Sequence, residues 1–164
     1  MKKSASKEAA IGETTRPLNI LLVEDSEDIQ YLIKLYLEKL PCRVDIANNG
    51  EIGVENFISN NYDLVLMDMK MPVMDGYAAT KAIKEWLSEN SKKDVPVIAF
   101  TAHAFKNEID RCIDVGCAAY LGKPVRKAQL LEVIYKFANN VNKVNSGRMQ
   151  PTDSSSGLPM ETIP

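Results

Sequence analysis

The chain has no apolar run of the length a membrane-spanning helix needs. Its start carries lysines and a glutamate but leads into no apolar stretch, so a secretory leader is not expected. Cysteine is sparse: Cys42, Cys112 and Cys117 are odd in number and show no CxxC spacing. They read as reduced thiols of a cytoplasmic protein. Charge of one sign is also lacking, with 20 Lys and Arg against 22 Asp and Glu. A near-neutral balance gives no basic field for phosphate backbones and argues against a nucleic-acid partner. What is present suits one soluble domain, since 45% hydrophobic content over 164 residues is enough for a core.

Residues 1–17 are small and polar and end in Arg16-Pro17, and read as a flexible arm. From residue 141 onward Ser, Gly and Pro accumulate, and residues 141–164 read as a flexible tail. The folded unit is expected over 18–140. Within it, strand-like and helix-like patterns alternate. Residues 19–23 are an apolar strand, after which Ser26 can cap a helix. Ile29, Leu32, Ile33, Tyr36, Leu37 and Leu40 form that helix's stripe, stopped by Pro41. Residues 43–47 alternate as a half-exposed strand, and Asn49-Gly50 turns into a helix marked by Val54, Phe57 and Ile58.

The third strand is a continuous apolar run through Met67 that delivers Asp68, followed by a loop and a helix beginning near Gly76. A fourth strand covers 95–100, and a helix carrying Ile109, Cys112 and Ile113 ends at Gly116. A short strand over 118–122 precedes the last helix, marked by Leu130, Val133, Ile134 and Phe137. Five βα units in series imply a parallel sheet covered on both faces. Right-handed crossovers put every strand's C-terminal end on one edge, where open α/β sheets bind ligands.

That edge collects Glu24 and Asp25, Asp68, Thr101 and Lys123. Three carboxylates there repel each other unless a cation joins them. With no His or Cys beside them, the oxygen donors favour Mg²⁺ or Mn²⁺ over zinc. Mg²⁺ fills its remaining positions with water and phosphate oxygens. Lys123 adds a positive charge and Thr101 a hydroxyl, so the set reads as a phosphoryl-transfer site. A carboxylate can act as nucleophile and form an acyl phosphate, which gives Asp68 its role.

Four stretches carry a family resemblance: Leu22-Val23-Glu24-Asp25, residues 66–76 from Leu66 through Asp68 to Gly76, Ala99-Phe100-Thr101-Ala102, and Tyr120-Leu121-Gly122-Lys123-Pro124. In that order, each after its strand, they make residues 18–140 resemble a response-regulator receiver domain. The resemblance implies a doubly wound, flavodoxin-like (βα)₅ fold with strand order 2-1-3-4-5. It implies that Asp68 accepts a phosphoryl group from a histidine kinase or histidine phosphotransfer protein. Glu24, Asp25, Asp68 and the Lys70 carbonyl would then hold Mg²⁺. Thr101, Lys123 and the Ala102 backbone would bind phosphoryl oxygens. Tyr120 matches an aromatic that swings inward with the threonine, although it also reads as a packed core tyrosine. The Lys123–Pro124 bond is expected to be cis.

Two positions depart from the family's usual pattern and border the path of hydrolytic water: Lys70, two after Asp68, and His103, two after Thr101. Lys70 is expected to slow loss of the acyl phosphate by screening it. His103, the single histidine, reads as an exposed loop residue, and Asp75 as a helix cap before Gly76. The residues after 140 lack the basic, apolar-periodic helices of a DNA-binding unit, so output is expected through a protein partner. The helix 4–strand 5–helix 5 face, with Lys106, Glu108, Arg111, Arg126 and Lys127, is the expected docking surface. The motifs also resemble receivers joined to hybrid histidine kinases, so the chain reads as a stand-alone shuttle or a piece of a larger kinase. Three other readings fit less well. An Asp-nucleophile phosphatase of the haloacid-dehalogenase type would carry DxD where this chain has Lys70. An unphosphorylated pseudo-receiver would have lost an acid or the lysine. A flavin binder would be repelled by the acidic Glu24-Asp25 loop.

Overall fold

The computed structural model describes residues 16–146; most of the expected arm and tail lies outside the described residues. Five strands and five helices alternate: β1 Leu18–Val23, α1 Glu27–Leu37, β2 Cys42–Ala47, α2 Gly50–Ser59, β3 Leu64–Asp68, α3 Gly76–Glu89, β4 Val97–Thr101, α4 Lys106–Asp114, β5 Ala119–Gly122 and α5 Lys127–Ser146. All strand pairs are parallel, in the order β2-β1-β3-β4-β5. The expected doubly wound sheet is therefore the one observed.

The apolar central strands fill both faces because successive side chains point opposite ways. Ile20, Leu22, Leu66, Ile98 and Phe100 face one side, where Ile33 and Leu37 of α1 and Leu130 and Ile134 of α5 cover them. Leu21, Val23, Val65, Met67, Val97 and Ala99 face the other, against Phe57 of α2, Ile83 and Leu87 of α3 and Cys112 of α4. β2, at the edge, alternates between exposed and half-buried residues as its sequence suggests. The two cores clamp β1, β3 and β4, so the strand ends that carry the site have little freedom.

Several local boundaries differ from the expectations, and α1 ends at Leu37, short of Leu40 in the expected stripe. β3 includes Asp68 rather than ending at Met67. β4 begins at Val97, because Pro96 has no N–H and contributes only its carbonyl, which accepts from Val65 N at 3.0 Å. α5 continues to Ser146, past residue 140 where the sequence suggested a tail.

Candidate functional site

The site is built at the C-terminal ends of β1 and β3. Parallel pairing sets Val23 beside Met67, so the next residue of each strand, Glu24 and Asp68, leaves the sheet at the same level. Both are buried, Glu24 fully and Asp68 with 3% of its surface exposed, while Asp25 is exposed. One carboxylate oxygen from each of Glu24, Asp25 and Asp68 lies within 4.8 Å of the others. Lys123 reaches in from beyond β5. Its ammonium is 3.0 Å from Asp68 Oδ1 and 3.2 Å from Glu24 Oε2. Backbone amides add to this: Ser26 N donates to Glu24 Oε1 at 3.1 Å, and Lys70 N to Asp68 Oδ1 at 3.2 Å.

The electrostatics follow from burial. Loss of water raises the Glu24 carboxyl to about 7, opposed by the Ser26 N–H and reinforced by the Asp68 charge. Burial also raises Asp68, with Lys123 and the Lys70 N–H pulling the other way. For Lys123, burial lowers the ammonium, but Asp68 and Glu24 outweigh it and the group stays protonated. One cation thus faces two buried carboxylates and a third at the rim.

The donor set fits a hard divalent ion. It is oxygen only, and Glu24 Oε2 is buried with the Lys123 ammonium 3.2 Å away as its partner. One ammonium leaves the three carboxylates in excess, a charge that a divalent cation offsets. Mg²⁺ or another small divalent ion matches such a group.

The other expected site residues fall into two groups. Thr101, at the end of β4, is buried, and its carbonyl accepts from Lys123 N at 2.8 Å, tying the two strand ends together. Its hydroxyl donates to the His103 carbonyl at 2.9 Å and accepts from His103 N at 3.3 Å. Ala102, His103 and Lys70 are exposed. Tyr120 is 41% exposed, so it is not the packed core residue that was one of its two readings. The Lys123–Pro124 bond is cis, as expected. Asp75 caps α3, accepting from Ala78 N at 2.8 Å, and takes no part in the acidic cluster.

Three supports escaped the sequence reading. Gln30, on α1, donates to the Glu24 carbonyl at 2.7 Å and to Asn48 Oδ1 at 2.9 Å, pinning the β1–α1 turn. Its signal was a polar residue in register with Ile33 and Leu37 on the buried face of the helix. Gly76 packs against the Asp68 carbonyl so closely that a Cβ there would collide with it. Tyr77 donates to Glu108 Oε2 at 2.6 Å, and the Arg111 guanidinium lies 4.0 Å over its ring, joining α3 to α4. A hollow of about 400 Å³ between these helices is lined by Lys70, Met71, Pro72, Tyr77 and Arg111. A hollow of about 720 Å³ is lined by Tyr62, Trp86 and Pro96 and by none of Glu24, Asp25 and Asp68.

Comparison with known proteins gives a consistent answer. The chain is 36% identical over 124 residues to sensor histidine kinase GacS of Pseudomonas protegens, a match covering 76% of this chain and 14% of that protein. It therefore spans a small part of the length of this curated relative. Among solved structures, it is similar to the receiver domain of sensor histidine kinase PA1611 from Pseudomonas aeruginosa, which has a magnesium ion coordinated in its active-site cleft. That likeness has 34% identity and a TM-score of 0.65, over 74% of this chain and 98% of the other. It is also similar to a co-crystal structure of the Saccharomyces cerevisiae phosphotransfer protein Ypd1 and the receiver domain of Ssk1, at 26% identity and a TM-score of 0.72, covering 77% and 92%. The model of the response regulator receiver domain matches residues 20–135. With that match over most of the described residues, and with the acidic cluster and lysine at the sheet edge, the chain belongs to the response regulator receiver domain family.

Proposed function

We propose that Asp68 accepts a phosphoryl group from a phosphohistidine-bearing kinase or phosphotransfer protein, and that the change is read by a protein partner. The observation that carries this reading is the buried Asp68 with a lysine 3.0 Å from Oδ1 and two further carboxylates within reach. In the transfer, an Asp68 oxygen forms a bond to phosphorus and the P–N bond to the donor imidazole breaks. The imidazole leaves with a proton, and the product is an acyl phosphate. Glu24, Asp25, Asp68 and the Lys70 carbonyl are the residues to hold Mg²⁺, or Mn²⁺ in its place. The ion supplies charge neutralisation of the phosphoryl oxygens. Lys123, held charged by Asp68 and Glu24, binds one of those oxygens in this reading once Asp68 is phosphorylated.

Thr101 is the switch in this reading. Its hydroxyl exchanges the His103 carbonyl for a phosphoryl oxygen, with the Ala102 N–H as a second donor. The loop after β4 then moves toward Asp68, and exposed Tyr120 turns into the space released. The output face in this reading is α4–β5–α5, with Lys106, Arg126 and Lys127, while Glu108 and Arg111, expected there, instead contact Tyr77 of α3. The protein is a signalling module that is modified once per signal. Lys70 and His103 border the path by which water hydrolyses the acyl phosphate.

The deciding experiment is incubation with Mg²⁺ and acetyl phosphate, followed by intact mass measurement. One phosphoryl adduct is expected in the wild type and none in Asp68→Asn. An adduct that persists in the variant, or none in the wild type, would overturn the assignment.

A further inference from the structure

The hollow of about 720 Å³ lies where strands of the sheet begin. Asp63, Pro96 and Ala118 line it and immediately precede β3, β4 and β5. The acidic cluster lies at the opposite ends of the strands, and the five residues of β3 set the two apart by about 15 Å. Apolar side chains from both faces of the sheet reach the hollow: Phe57, Tyr62 and Trp86 from one core, Phe137 from the other. The Phe57 ring stands edge-on to Trp86, with centroids 5.9 Å apart, and is stacked with Tyr62 at 6.2 Å. A volume of this size with aromatic walls suits a small molecule.

The charges around the hollow differ in how they are matched. Both acids that line it already have partners. Asp63 accepts the Arg16 guanidinium through bonds of 2.6 and 2.7 Å and the Asn19 N–H at 2.8 Å. Asp94 accepts from Lys84 Nζ at 2.6 Å. Lys92 and Lys93 also line the hollow, both exposed, and neither makes an ion pair among the described residues. Lys93 acts on Asp63 through charge alone, since Arg16 and Asn19 hold its oxygens. The end of α3 sets where the lysines start. Lys92 N donates to the Leu87 carbonyl at 2.9 Å, Ser91 N donates to the Ser88 carbonyl at 3.2 Å, and Ser91 has φ of 50°. This is a Schellman cap, which brings the residue after the left-handed position back against Leu87. Leu87 itself lines the hollow, so the cap fixes the first lysine at its rim.

We propose that this hollow binds a flat aromatic anion, a ring system bearing one carboxylate or sulfonate. The rings pack against Trp86 and Tyr62, with Phe57 bridging the two, and the anionic group meets Lys92 and Lys93. The sign follows from the pairing. Arg16 and Lys84 already match the acids, and two unmatched ammonium groups repel a cationic ligand and attract an anionic one. The flat shape follows from the walls, since aromatic faces hold a ring by stacking and by burial of its area. Tyr62 offers only its ring, because its hydroxyl donates to Asp45 Oδ2 at 2.8 Å. The site does not depend on Asp68 being the phosphoryl acceptor, because the hollow shares no residue with the acidic cluster.

Trp86 is the single tryptophan of the chain, so a ligand packed on it quenches the protein's tryptophan emission. The test titrates the full chain with two dyes: anilinonaphthalene sulfonate, an aromatic anion, and phenylnaphthylamine, the same rings without the sulfonate. The sulfonate should quench Trp86 saturably at one molecule per chain and bind about tenfold more tightly than the neutral dye. In Lys92→Gln/Lys93→Gln that preference should fall to within about twofold, with binding of the neutral dye unchanged. Both lysines are exposed and unpaired, so this variant should melt within about 2 °C of the wild type. Lys92→Arg/Lys93→Arg keeps the charge and should keep the preference. The inference is overturned if Trp86 shows no saturable quenching or if several dye molecules bind per chain. It is also overturned if the neutral dye binds as tightly as the sulfonate, the mark of a groove for an apolar protein segment. A glutamine variant that keeps the preference, or an arginine variant that loses it, overturns it as well.

Discussion

Metal binding should depend on pH, and Glu24 sets the form of the dependence. Burial raises its carboxyl to about 7 in the metal-free protein, with the nearby Asp68 charge adding to the effect. A proton on Glu24 therefore competes with the ion. For one proton released per ion bound, the apparent Kd weakens about tenfold per pH unit below that value and levels off above it. Mg²⁺ should bind about tenfold more weakly at pH 6 than at pH 8. The same shift affects stability. The folded pKa lies above the unfolded value, so the protonated Glu24 favours the fold at low pH. That contribution is lost as pH rises through about 7, where a buried charge must be accommodated. Mg²⁺ should then raise Tm more at pH 8 than at pH 6. Isothermal titration calorimetry at both pH values, with thermal melts in EDTA and in Mg²⁺, measures both quantities. In Glu24→Gln the pH slope should disappear, because the amide does not titrate. A wild-type Kd that changes less than about twofold between pH 6 and 8, or a Gln variant that keeps the slope, would refute the reasoning.

Two further outcomes concern the loop after β3. Lys70 is exposed, and its own N–H holds Asp68 Oδ1, so a long cation begins beside Asp68. Replacing it with Asn should shorten the lifetime of the aspartyl phosphate about fivefold, the effect of about 1 kcal/mol of lost screening. An unchanged or longer lifetime, followed by phosphate release in Mg²⁺, would sink that role. Gly76→Ala should lower unfolding free energy by about 2–4 kcal/mol in urea titrations, because the new Cβ collides with the Asp68 carbonyl. Helix propensity alone would favour the alanine by about 1 kcal/mol, so the sign of the change separates the two effects.

Much of this molecule was legible from local pattern. Period-two and period-3.6 apolar spacing located all five strands and five helices, because each pattern needs only neighbours in sequence. Continuous apolar runs at 20–23 and 64–67 marked strands buried on both faces, and the carboxylates that follow them marked the functional edge. The caps at Ser26 and Asp75 were readable for the same reason, since the side chain bonds an amide three residues on. The end of α5 was not. Polar residues at 140–146 look alike whether they extend a helix or leave it, and here they extend it.

Residue order alone was enough to place Glu24, Asp25, Asp68, Thr101 and Lys123 at the sheet edge, each at or just past the end of a strand. Only the tertiary structure decided their state. Strand register buries Glu24 beside Asp68 while leaving Asp25 exposed, and that burial, not residue identity, moves the Glu24 carboxyl to about 7. Packing also left Tyr120 exposed, turned the Thr101 hydroxyl toward His103, and recruited Gln30. The hollow at the strand starts had no trace in residue order. Its walls come from α2, α3 and α5 together, and such non-local closure cannot be read one segment at a time.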